Sequence, residues 1–193
     1  HTTKGWIYTN TNEGKLYNQS VITYKNGKRM TADSIAFNSS KGRVKAYHKV
    51  EVEDSTQKII IRGDYLECDS VSPAYAIVTG MPYVVDYSEK DTLFLKADTL
   101  RYCEMDSSDE VRAYKNVWIY RSDMQGKCDS LVYFVDDSLA RMYHDPVLWS
   151  EGSQLTGADV IEIYIKEKKM DRIFIPERAL IISDEGDEQY NQL

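Results

Sequence analysis

Lys96-Ala97-Asp98-Thr99-Leu100-Arg101-Tyr102, followed by Tyr114-Lys115-Asn116-Val117-Trp118-Ile119, decides the fold of this chain. In the first segment Leu100 and Tyr102 are apolar or aromatic, and Thr99 and Arg101 are polar. Alternation with period two marks a strand, because successive side chains leave opposite faces of a sheet. A small residue followed by aspartate opens four further segments, at Ala32-Asp33, Gly63-Asp64, Cys128-Asp129 and Ala158-Asp159. The five aspartates stand 31, 34, 31 and 30 residues apart. Such a period belongs to stacked units, each too small to bury its apolar face alone.

Two residues after each aspartate stand Ile35, Leu66, Leu100, Leu131 and Ile161; four after it stand Phe37, Cys68, Tyr102, Tyr133 and Ile163. These columns are expected to face one common interior. A second strand starts near Tyr47, Met81, Tyr114 and Tyr143, with an echo at Tyr17. Its inward positions read as Val50 and Val52, Tyr83 and Val85, Val117 and Ile119, and Val147 and Trp149. Pro82, Asn116 and Pro146 are then strand starts preceding a core residue. Turn-formers such as Asn38–Gly42 and Asp69–Pro73 separate the strands. No segment holds a sustained apolar stripe of period 3.6, so helix is not expected. The fold class expected is all-β, built from tandem strand–turn–strand repeats of about 30 residues.

Composition narrows function. The net charge of −7 argues against nucleic acid, whose phosphates need clustered Lys and Arg. No apolar run approaches the ~18–20 residues of a membrane-spanning helix. The chain starts at His1 in polar sequence, as expected of a processed or trimmed fragment. Motifs for nucleophilic, zinc, phosphate-loop or EF-hand chemistry are missing, so neither an enzyme nor a cofactor is expected. His48 and His144 recur at equivalent repeat positions, too far apart to share a metal. Three cysteines without CxxC spacing give no disulfide framework; Cys68 reads as inward, Cys103 and Cys128 as the opposite parity. Each repeated aspartate reads as an Asx-type turn, its oxygen accepting a backbone N–H at strand entry, in preference to a cation-binding ladder.

The motifs Thr31-Ala32-Asp33, Lys96-Ala97-Asp98 and Gly157-Ala158-Asp159, with Lys115-Asn116-Val117, Gly80-Met81-Pro82 and Asp145-Pro146-Val147, resemble the OstA-like family of lipopolysaccharide-transport proteins. That family includes LptA, LptC and the periplasmic domain of LptD. The resemblance covers roughly residues 15–183. The acidic, tyrosine-rich composition looks like its Bacteroidetes members. A full Gly-Asn-Val is missing, and aromatics stand at several inward positions. The resemblance implies a bent, partly open β-jellyroll (a β-taco) with an apolar groove.

It further implies a periplasmic, outer-membrane-associated protein that binds lipopolysaccharide or lipid A. Edge strands would pair head to tail with other OstA-fold proteins or with further copies as a homo-oligomer. The groove is expected to be lined by Ile35, Phe37, Val50, Val52, Leu66, Leu100, Tyr102, Val117, Ile119, Leu131, Tyr133, Val147, Trp149, Ile161 and Ile163. Edges are expected at Trp6–Thr9 or Val21–Tyr24 and at Ala179–Ile182. Residues 1–5 read as a frayed N-terminus, 6–183 as one domain, and 184–193 as an acidic tail or linker. The competing reading is a structural or glycan-binding β-repeat protein of the cell envelope. Inward Tyr102, Tyr133 and Trp149 favour lipid, whereas an outward stripe of Tyr47, Tyr114 and Tyr143 favours glycan.

Overall fold

The computed structural model describes residues 1–24, 26–184 and 190–192. The strands are β1 (Lys4–Tyr8), β2 (Glu13–Thr23), β3 (Lys28–Asn38), β4 (Arg43–Asp54), β5 (Ile59–Asp69), β6 (Tyr75–Thr79), β7 (Tyr83–Asp86), β8 (Leu93–Lys96) and β9 (Thr99–Cys103). They continue as β10 (Glu110–Arg121), β11 (Met124–Phe134), β12 (Leu139–Tyr143), β13 (Val147–Ser150), β14 (Ser153–Thr156), β15 (Val160–Lys166), β16 (Lys169–Phe174), β17 (Leu180–Asp184) and β18 (Tyr190–Gln192). Among the described residues there is no helix, so the chain is all-β.

Every pairing is antiparallel, and the pairings sort into two half-sheets. Half-sheet one runs β1–β2–β3–β4–β5–β6–β9–β10–β11–β12–β15–β16. Half-sheet two runs β2–β3–β4–β5–β7–β8–β10–β11–β13–β14–β17–β18. The long strands β2, β3, β4, β5, β10 and β11 belong to both, bending from one to the other at mid-length. Elsewhere the chain breaks at the bend, giving β6 and β7, β8 and β9, and β12 and β13.

The bend has a local cause. Register shifts fall at Tyr17/Ser20, Tyr47/Val50 and Tyr114/Val117. Between them lie pairs of left-handed residues, Asn18-Gln19, His48-Lys49 and Lys115-Asn116; Gly80-Met81 and His144-Asp145 are further pairs at the breaks. Each non-glycine residue held at positive φ costs about 1–2 kcal/mol. Two in succession make a bulge that sharply re-aims the strand. The next residue then drops into the core: Ser20, Val50, Pro82, Val117 and Pro146 are all buried. Gly80 needs its freedom at φ +81°, since a Cβ there would run into Asp64.

This bulge corrects the parity expected in the proline repeats. Pro82 and Pro146 occupy the core slot itself instead of preceding it. The inward residues are therefore Val84 and Leu148, and Tyr83, Val85, Val147 and Trp149 face outward. A slip of one residue reverses every face of a strand. Cys128 is corrected likewise: it fills the small-residue slot before aspartate and is buried in the core.

The aspartates also differ from expectation. Asp64 meets the His48 ring at 3.2 Å, and Asp98 accepts a bond from the Asn116 side chain at 2.9 Å. Each bonds to a bulge residue of a neighbouring strand, whereas Asx bonds form at the hairpin turns, as from Lys41 N–H to Asn38.

The termini are more ordered in pairing than the sequence implies. Lys4 and Gly5 belong to β1, and the His1 amine donates to the Val21 carbonyl. At the other end Leu180, Ile181 and Ile182 pair with β14, and within the expected edge Ala179–Ile182, Ile182 pairs also with β18 among the described residues. Within the expected tail, residues 185–189 and 193 lie outside the described residues, while Tyr190–Gln192 pair with β17.

Candidate functional site

The inner faces of the two half-sheets oppose each other across the seam of bulges. Beside the seam, half-sheet one contributes Ile35, Leu66, Leu100, Leu131 and Ile161, all buried, interleaved with Ala46, Ala113 and Met142. Half-sheet two contributes Ala32, Val50, Ala97 and Val117, also buried. Small and large side chains alternate, which lets the two faces approach closely.

One step farther from the seam the exposure rises over the N-terminal strands. Phe37, Val44 and Cys68 on one side, and Val52, Ile61 and Val84 on the other, are only half-buried. Tyr102, Val111 and Tyr133 continue that half-buried line. From β8 to β13 half-sheet two is closed, with Leu95, Ile119 and Leu148 buried and Ile163 buried opposite, and Leu155 on β14 and Ile181 on β17 are half-buried again. A folded sheet with an apolar mouth along one part of its length is the result. Its rim is polar at Lys28, which pairs with Asp54 at 3.5 Å.

The closed part is bridged by the turn between β15 and β16. Arg121 donates to the Lys168 carbonyl at 3.1 Å, and the Lys168 ammonium donates to Ser88 Oγ at 2.9 Å. These contacts tie the tip of half-sheet one to half-sheet two.

Of the expected lining residues, Ile35, Val50, Leu66, Leu100, Val117, Ile119, Leu131, Ile161 and Ile163 lie buried on the inner faces. Phe37, Val52, Tyr102 and Tyr133 lie at the mouth, and Val147 and Trp149 lie outside. Sequence reasoning missed Ser20, Pro82, Val84, Met142 and Leu148. The usable signal was the polar or glycine doublet before each core residue, whose members share no identity.

Electrostatics around the inner face is simple. The Tyr102 hydroxyl donates to Asp109 at 2.6 Å, and that bond, with burial, pushes its pKa up to about 12. Burial also pushes the Cys128 thiol up to about 12. Cys128 is therefore a small hydrophobe, not a nucleophile. Among the described residues no three His, Cys, Asp or Glu side chains converge on a metal-sized space.

The outer face of half-sheet one holds a transverse row of hydroxyl residues. Register aligns Tyr17, Ser34, Tyr47, Tyr65, Thr79, Thr99, Tyr114, Ser130 and Tyr143. These tyrosines are half-buried, and their hydroxyls are partly engaged, as in Tyr65 to Glu67 at 2.6 Å. Ion pairs such as Arg43–Asp69 and Arg141–Glu162, both at 2.8 Å, flank the row on the same solvated face.

No family model matches the chain, and no curated protein matches it. Among solved structures it is similar to LptH from Pseudomonas aeruginosa, described as the LptA-homologous periplasmic component of the lipopolysaccharide transport device. The TM-score is 0.48 at 15% identity, over 55% of this chain and 75% of that one.

Proposed function

We propose that this chain is a periplasmic lipid-binding module that holds the acyl chains of lipopolysaccharide between its half-sheets on the way to the outer membrane. The observation that carries the reading is the graded inner face: buried along the seam, half-exposed and apolar on both lips of the mouth over β3–β7. The sequence resemblance to the OstA-like family supports it independently. Each CH2 moved from water into an apolar environment gains about 0.8 kcal/mol, so a chain of ~12–14 carbons gains about 10 kcal/mol. The sugar head group remains at the polar rim. No catalytic step or cofactor is required.

Assembly would use the free edge of β1. Trp6, Ile7 and Tyr8 are exposed, and β1 pairs only with β2 among the described strands. Its unpaired side offers backbone N–H and C=O groups to an incoming strand. On half-sheet one the opposite terminal strand is β16. Pairing of β1 with an edge of another OstA-like protein or of a second copy would join troughs end to end.

Native mass spectrometry with lipid A tests the binding. Wild-type protein is expected to gain the mass of one lipid, and Val44→Asp and Ile61→Asp are expected to lose it while remaining folded by circular dichroism. Wild-type protein that takes up no lipid at any concentration would remove the basis of the reading.

A further inference from the structure

The outer face of half-sheet two carries an uncharged row that the lipid reading does not use. Register places Val85, Phe94, Tyr120, Gln125, Trp149 and Gln154 side by side on β7, β8, β10, β11, β13 and β14. In a chain with 28% charged residues, six adjacent strands present none along this line. Five interstrand gaps give the row a length of about 24 Å. Phe94 and Tyr120 are 42% and 51% exposed, and their rings sit 6.3 Å apart. Trp118, 51% exposed, adds a third ring one step nearer the seam.

The row ends in a shallow cleft of about 400 Å³, lined by Trp149, Gln125, Gln154 and the hydroxyl residues Ser122, Ser150 and Ser153. The Trp149 indole N–H donates to the Gln154 side-chain oxygen at 3.0 Å, which fixes the ring orientation. Asp123, already paired with Arg121, and Glu151 also line the cleft, and Glu151 disfavours an anion.

We infer that this row and cleft bind an uncharged glycan chain laid across the strands. A pyranose ring presents an apolar C–H face, which packs on aromatic rings, and hydroxyls, which need planar amide or hydroxyl partners. Rings and amides here recur at the strand spacing, comparable to one sugar unit. The absence of charge along the row matches a neutral polymer, and Glu151 at the cleft disfavours an anionic one. Lys96 and Lys127 flank Trp118 on the same face, so vesicle capture is the measurement that separates a membrane surface from a glycan. The inference is independent of the lipid reading, since it concerns the opposite face of the sheet.

Titration of the full chain with cellohexaose and chitohexaose, followed by tryptophan fluorescence and by NMR line broadening of the hexaose, tests it. At least one hexaose is expected to bind, and Tyr120→Ala and Phe94→Ala are each expected to weaken binding about tenfold. Both side chains are exposed, so circular dichroism should not change and the melting temperature should fall by only about 1–4 °C. Tyr47→Ala, on the other half-sheet, is expected to bind as wild type. Failure of both hexaoses to bind overturns the inference, as does binding that Tyr120→Ala and Phe94→Ala leave intact. Tighter binding of an alginate hexamer overturns it too. So does capture by phosphatidylcholine–phosphatidylglycerol vesicles, or self-association in sedimentation equilibrium, that the same variants abolish.

Discussion

Leu148 and Val147 are neighbours on β13, and the account assigns them opposite faces. Leu148 is fully buried; its Cδ1 and the Ile119 Cδ1 each lie 3.6 Å from where a Gly126 Cβ would stand, with Met142 Cε at 3.1 Å. Truncating it leaves a hole in the core. Leu148→Ala is expected to cost about 3 kcal/mol, within the usual range for a buried leucine. Val147 sits opposite exposed Lys127 on the outer face and is half-buried. Val147→Ala is expected to cost about 0.5–1 kcal/mol. At roughly 2–4 °C per kcal/mol for a chain of this size, melting temperature falls about 6–12 °C for the first variant and about 1–4 °C for the second. Both positions lose some strand propensity, so the difference between them reports burial. Scanning calorimetry of the two variants decides it. An equal or larger loss for Val147→Ala would mean that Pro146 precedes the core residue and that the bulge assignment is wrong.

Gly80→Ala should destabilise more than an ordinary surface change, because a Cβ at φ +81° meets Asp64; urea unfolding against Met81→Ala separates the two. Native Cys128 should resist iodoacetamide at pH 8, its thiol being pushed up to about 12 by burial, while the denatured chain labels all three cysteines; mass spectrometry counts the adducts. Stability should fall at both pH extremes. Asp54, Glu67, Asp69 and Asp123 are held low by the Gln57 N–H, the Tyr65 hydroxyl, Arg43 and Arg121 respectively. Their depressed values stabilise the fold above the unfolded carboxylate pKa of about 4, and that support is lost as pH falls through the folded values. Tyr102 has the opposite sign: unfolded tyrosine ionises near pH 10, the folded hydroxyl near about 12, so stability drops across that interval. Urea midpoints at pH 3, 7 and 11 check both arms.

Much of this fold could be read before any coordinates. The aspartate period and the columns through Leu100 and Tyr102 required strands stacked about one interior, and Ile35, Leu66, Leu131 and Ile161 do line it. What escaped was the bulge. Asn18-Gln19, His48-Lys49, Gly80-Met81, Lys115-Asn116 and His144-Asp145 share a backbone conformation and almost no chemistry. Period-two counting carried through them therefore arrives one residue out of phase wherever proline fills the core slot. Cys128 is misplaced for the same reason: counting back by twos from Leu131 misses the change of face at Asp129, opposite the Lys115-Asn116 bulge. The mouth was not legible either. Whether Val44 is buried or half-exposed depends on how far apart the half-sheets stand, a tertiary quantity that no local pattern encodes.

Ile60 and Ile61 give the most direct test of the lipid trough, because identical adjacent side chains leave opposite faces of β5. Ile61 packs against the core at the mouth, paired with Val52 and Val84, while Ile60 joins the outer row beside Val85. A photoreactive phenylalanine analogue is placed at each position in turn, and the folded protein is irradiated with lipopolysaccharide. The account predicts an adduct from position 61 and none from position 60. Equal adducts from both positions, or an adduct from position 60 alone, would contradict it.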